Sequence, residues 1–186
     1  MDEVLIEKVR VFVEEECKRP TALYGYEAYK FHFIPVVNYA RMLSKRVNVD
    51  LNVVLLAAWL HDIGSIVYGR ENHHITSCEI ADEKLREFGC GEDVIERVKH
   101  CIYAHRGSKN IVRESVEANV LADADSMSHF DDIGGLFRAA YVTEKMSHND
   151  ARSSVRGKLI NSFSKLSNEA KRVIEPKFEA AILLLD

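Results

Sequence analysis

Leu55-Leu56-Ala57-Ala58-Trp59-Leu60-His61-Asp62-Ile63-Gly64 is the stretch on which the fold turns. The run reads as a very apolar, tightly packed helix. Asp50 is suited to cap its start, which sets the helix from Leu51 to Asp62, with Gly64 as its stop. The apolar run then ends abruptly in a histidine and an aspartate. Burying both without partners would cost several kcal/mol, and a metal ion would satisfy the two together. A helix end lets adjacent side chains turn toward one point, which mid-helix neighbours about 100° apart cannot easily do. Taken alone the pair decides little, because a histidine hydrogen-bonded in a helix cap reads the same.

Helical periodicity continues on both sides. Val4, Leu5, Val9, Phe12 and Val13 share a face over residues 2–18, closed by Arg19-Pro20. Further helices are expected over 28–46, with Pro35 in its first turns or at a kink, and over 73–88 and 93–105, ended by Gly89 and Gly107. A loop is expected over 65–72. Residues 114–124, about 131–147, 150–165 and 169–185 complete an all-α chain with no repeat or linker. One domain is expected over 1–186, its motif-bearing core at about 28–140 and the C-terminal helices packed on it. The apolar end, Ala180 to Leu185, reads as core in preference to a dimer contact.

Two more segments set polar groups in apolar surroundings. His32 opens His32-Phe33-Ile34-Pro35-Val36-Val37, and Leu121-Ala122-Asp123-Ala124-Asp125-Ser126-Met127 places two acids among small apolar residues. His32, His61, Asp62 and one of these acids make a mixed nitrogen and oxygen set. Such a set suits manganese, iron, cobalt, nickel, zinc or magnesium better than a structural zinc site would.

With those residues in view the chain resembles the HD superfamily of metal-dependent phosphohydrolases. The resemblance runs from about residue 28 to 140, through His32 with Val36 and Ala40, His61-Asp62-Ile63-Gly64, and Ala124-Asp125-Ser126-Met127. It implies an HD-type helical bundle whose metal is held by His32, His61, Asp62 and Asp125. Asp123 competes for the last place, and Met127 then favours Asp125. His73-His74 opens a segment similar to the family's "HxxxGAEIA" helix, and His105-Arg106 is similar to the end of the next. The resemblance implies a second metal or a phosphate contact there, with His74 and His105 preferred. His61, Asp62, His74 and His105 are thus the expected catalytic set, and His73, His74, His105, Arg106 and Arg138 the expected substrate contacts. The plain alternative for each is a capping or exposed side chain. His100 reads as a surface residue, and His129 and His148 carry no supporting context. Where many relatives continue "HDIGK", this chain has Ser65, so another cation would have to serve: Arg70, Arg106, Lys109 or Arg138. The implied activity is hydrolysis of a small phosphoester, such as a nucleotide, by a metal-activated water, with one or two divalent ions. A non-catalytic metal- or nucleotide-binding sensor is the alternative.

Composition sets outer bounds. The net charge of -4, from 25 basic and 29 acidic residues well interspersed, offers no basic stripe for an obligate nucleic-acid partner. Four scattered cysteines with no C-x-x-C pair fit reduced thiols. The first residues lack a signal-peptide pattern, and the longest uncharged apolar run, Val53 to Leu60, is far short of the roughly 20 residues of a spanning helix. A cytoplasmic protein without a membrane partner is expected, as a monomer or homodimer.

Overall fold

A computed structural model describes residues 3–106 and 111–185; the helix end expected at Gly107 and the candidate Lys109 lie outside them. The described residues form eleven α-helices and no strand. The first, α1 (Glu3–Lys18), buries Leu5, Val9, Val13 and Cys17 at helical spacing. After the short α2 (Gly25–Ala28), one wide π turn, Tyr29–Phe33, leads into α3 (Ile34–Ser44). Pro35 offers no N–H to the carbonyl of residue 31, and its ring would crowd that carbonyl. A widened turn just ahead of it relieves both problems, and that turn carries His32.

The central helix α4 (Leu51–Leu60) begins where the Asp50 carboxylate accepts from the amides of Asn52 and Val53, at 3.1 and 3.4 Å. Every residue from Val53 to Leu60 is buried, with α1, α3, α7 (Glu92–Ala104) and α8 (Val116–Ser128) packed around it. Its apolar character on all sides follows from being surrounded.

The glycine at 64 is no helix stop. The chain breaks two residues earlier, at Asp62 (φ -116°, ψ 13°), and resumes as α5 (Ile63–Tyr68), which takes up the first part of the loop expected over 65–72. Gly64 lies within α5, directly against α6 (His73–Glu87). A Cβ there would sit 2.2 Å from Thr76 Oγ1, 2.7 Å from the Ser77 amide and 2.9 Å from the His73 carbonyl. The glycine serves close approach of two helices, and its amide donates to Ser77 Oγ at 2.9 Å. The chain turns out of α5 at Gly69, whose φ of 97° suits glycine.

Helix α8 runs four residues beyond its expected end, capped by Ser115, whose hydroxyl accepts from the Ala118 amide. The stretch expected as one helix over 131–147 is α9 (Ile133–Arg138) followed by a π turn, Ala139–Thr143, and an irregular segment. The last helices, α10 (His148–Lys165) and α11 (Asn168–Leu185), pack on α8, and α10 also touches α9. The C-terminal apolar segment divides: Ala181 and Leu185 are buried, while Leu183 and Leu184 are exposed. Among the described residues one apolar stretch, Leu51–Tyr68, is long enough by composition to cross a bilayer; 72% of it is buried in the molecule, as in a core helix.

Candidate metal centre

Four histidines from four different elements converge, and each ring is held the same way. His61, at the end of α4, directs Nδ1 to the Ala58 carbonyl at 2.9 Å. His73, opening α6, directs Nδ1 to the Arg70 carbonyl at 2.8 Å, and His105, ending α7, directs Nδ1 to the Ile102 carbonyl. His32 meets Ser128 Oγ through Nδ1 at 3.2 Å, while that hydroxyl donates to the Asp125 carbonyl. With Nδ1–H committed to oxygen, each ring presents the lone pair of Nε2 to the centre. This orientation by the far nitrogen is characteristic of metal-binding imidazoles.

Two acids meet those lone pairs. Asp62 Oδ2 lies 3.5 Å from His32 Nε2, and its Oδ1 lies 3.3 Å from His73 Nε2 and 3.4 Å from His105 Nε2. Asp125 Oδ1 stands 3.7 Å from Nε2 of both His32 and His61. Two three-residue clusters result among the described residues, His32-His61-Asp62 and Asp62-His73-His105, with Asp62 common to both.

The donor set fits a cation on two counts. His32 Nε2 and His61 Nε2 face each other at 3.0 Å with both Nδ1 protons already committed, so two lone pairs point into one space. Asp62 Oδ1 is buried with no hydrogen-bond partner. An ion would satisfy all of these groups. Without one, protons fill the role. Burial opposes the charged form of His61, but Asp62 and Asp125 outweigh it and raise its pKa. Burial likewise opposes the Asp62 carboxylate, and His61, His105 and His32 together hold it well below the usual range. Asp125 is lowered in the same manner, first by His61.

The remaining candidates separate around this centre. Asp123 lies about 200° around α8 from Asp125 on helical geometry and accepts from the Ser167 amide at 3.1 Å, away from the cluster. His74, preferred over His73 on sequence, is outside both clusters: its Nδ1 accepts from Arg106 Nη1 at 3.0 Å and its ring lies beside Tyr103. His73 stands in its place, at the position where the "HxxxGAEIA" likeness has its histidine, four residues before Ser77. Arg106 also donates to the Glu71 carbonyl at 2.7 Å, so it braces the start of α6. Arg70 pairs with Glu144 at 3.4 Å in an exposed position, and Arg138 is exposed at the end of α9. His100 accepts from the Glu114 amide at 3.1 Å.

Two residues near the centre belong to no motif in the sequence. His129, next in the chain after α8, lays its ring parallel to His32, centroids 6.3 Å apart, with Nδ1 3.0 Å from Ser162 Oγ on α10. Burial and Lys158 push its pKa down to about 3. Lys158, also on α10, is half-buried and interacts electrostatically with Arg70, Asp125, Asp62 and Glu144. Lys158 lies on the same stripe of α10 as the buried Ala151, Val155, Leu159 and Ser162, and a lysine on an inward stripe is the one signal that marks it.

Comparison with known proteins agrees with this architecture. Residues 29–129 match the HD domain family, more than half of the chain, and the protein belongs to that family. An uncharacterized protein of Clostridium beijerinckii is 34% identical over 83 residues, 42% of this chain and 53% of that one. The chain matches about half or less of the length of its curated relatives. YpgQ of Bacillus subtilis, solved in complex with ADP, has a similar fold: TM-score 0.72, 21% identity, covering 97% of this chain and 93% of YpgQ. An HD-superfamily hydrolase of Bacillus thuringiensis superposes at TM-score 0.71 with 18% identity, covering 97% and 92% of the two chains.

Proposed function

We propose that the protein is a metal-dependent phosphohydrolase acting on a small phosphoester, with nucleotides the first class to test. The observation that carries this reading is the common orientation of His32, His61, His73 and His105, all offering Nε2 toward two half-buried carboxylates. His32, His61, Asp62 and Asp125 would hold one divalent ion, and Asp62, His73 and His105 a second. Bound ions supply two things: polarisation of a phosphoryl oxygen and acidification of a water molecule toward neutral pH. The chain's own part is positional. Carbonyls and a hydroxyl lock the rings, the shared carboxylate ties the two clusters together, and the enclosing helices limit competing water. The ADP bound to YpgQ supports a nucleotide as the phosphoester. A cytoplasmic location belongs to the same reading.

Elemental analysis of the purified protein, joined to a phosphoester panel assayed with added manganese, nickel, cobalt or magnesium, tests it. The expected result is bound transition metal and turnover that depends on it. Asp62→Asn or His61→Ala should reduce turnover by roughly a thousandfold or more, since each removes a group from the shared centre, with helical content unchanged. Undiminished activity in either variant would sink the proposal. Metal without turnover of any nucleotide would favour the sensor instead.

A further inference from the structure

Metal ligands alone leave the phosphoryl group of a substrate without a side-chain cation, because Ser65 occupies the place where a lysine follows the His-Asp pair in many relatives. Among the described residues, Arg106 is tied to His74 and the Glu71 carbonyl, Arg70 is paired with Glu144, and Arg138 is exposed. Helix α10 supplies another cation. Lys158 and Ser162 are one turn apart, so they share a face of the helix. Ser162 touches His129, whose ring lies parallel to that of His32. That contact sets this face of α10 against the metal centre. Lys158 is half-buried there, makes no hydrogen bond or ion pair among the described residues, and lies within the electrostatic reach of Arg70, Asp125, Asp62 and Glu144, of which Arg70 and Glu144 pair with each other.

Resting on the hydrolase reading of the same site, we propose that Lys158 is a substrate-binding residue whose ammonium takes a phosphoryl oxygen beside the metal centre. Lys158 lies outside the segment that matches the family, 29–129, so it is a contribution of this chain's C-terminal helices. The electrostatic logic depends on loading. With no ion present, Asp62 and Asp125 attract the ammonium. With ions bound, their charge is compensated, and the half-buried ammonium then needs an anion of its own. A phosphoryl group entering beside the ions meets that need.

The test is calorimetric titration of inorganic phosphate into the manganese-loaded full chain, as wild type, Lys158→Met, Lys158→Gln and Lys158→Arg. Metal content and far-UV circular dichroism are measured on each. Phosphate should bind at least tenfold more weakly to the Met and Gln variants, with metal content unchanged, and within about threefold of wild type to the Arg variant. A loss of tenfold corresponds to about 1.4 kcal/mol. Phosphate affinity within twofold of wild type in folded, metal-loaded Met or Gln protein overturns the proposal. So does an absence of phosphate binding to loaded wild type, or a loss of affinity that merely follows lost metal. If one neutral variant fails to fold, the other carries the comparison, and failure of both shows a structural role instead. Wild type that binds phosphate in a Lys158-dependent way but hydrolyses no phosphoester separates the two claims: the hydrolase reading fails and the anion site stands.

Discussion

At the scale of single residues, ionisation in the centre works in two directions, and the signs differ. His61 has its pKa raised, so its contribution to the metal-free protein is full below the unfolded value of about 6.5 and is lost as pH rises through the folded value. His129 has its pKa lowered to about 3, so it is neutral in the folded protein. Its cost appears as pH falls from about 6.5 toward 3, where the unfolded chain takes up a proton that the folded chain refuses. His129→Gln removes that cost. Thermal unfolding of the chelated protein should therefore show the variant gaining in Tm relative to wild type as pH drops from 7 to 4. A Tm difference independent of pH would contradict the neutral state. Metal binding needs all of its imidazoles deprotonated, so stabilisation by added manganese should grow between pH 5.5 and 8.

Single elements carry the site through their ends and their contacts. The α5–α6 approach depends on Gly64, where a Cβ would meet Thr76 Oγ1 at 2.2 Å and the Ser77 amide at 2.7 Å. Backbone cannot yield there as a flexible side chain would. Gly64→Ala should cost roughly 1–3 kcal/mol by overpacking, or about 2–12 °C in Tm for a chain of this size. It should also cut activity, because His73 opens the helix that would be pushed away. Asp50→Ala acts at the opposite end of α4. Loss of its cap to Asn52 and Val53 should cost about 1 kcal/mol, and loss of the Arg97 partner at 2.9 Å adds little in an exposed position. Metal content should be unaffected, since the cap lies at the far end of the helix from His61. A drop in metal content in Asp50→Ala would show that α4 transmits end to end.

For the whole molecule, the fold and the centre are separable. The core runs from α1 through α11 and is built from apolar side chains that do not depend on the ion, such as Val9, Phe33, Leu56, Ile95, Leu121, Leu159 and Ile174. Stripping metal with a chelator should leave helical content at 25 °C intact. Restoring it at a hundred times its dissociation constant should add about 2.7 kcal/mol, seen as a Tm rise of some 5–11 °C. Unfolding on chelation, as in a zinc finger, would place the ion among the folding determinants.

Much of this is legible in the amino-acid sequence. The buried central helix can be read from an apolar run ending in His61-Asp62, because only a surrounded helix can be apolar on all sides. His32 and Asp125 can be picked out because ionisable groups in apolar segments demand a partner. Gly64 cannot be read: a glycine that ends a helix and one that admits a neighbouring helix look identical until the neighbour is known. The choice of His73 over His74 is legible only through the "HxxxGAEIA" likeness, whose histidine falls four residues before Ser77; helical direction alone does not give it, since adjacent residues at a helix start point about 100° apart. His129 is beyond reach because nothing in its own segment points to α10, and Lys158 shows only as a lysine on the inward stripe of that helix. Local sequence determines which residues are helical and which carry chemistry. Which of those side chains meet is decided by the packing of helices distant in sequence, and here that packing gathers the π turn at Tyr29–Phe33, α4, α6, α7 and α8 around one centre, with Ser162 of α10 against His129 beside it.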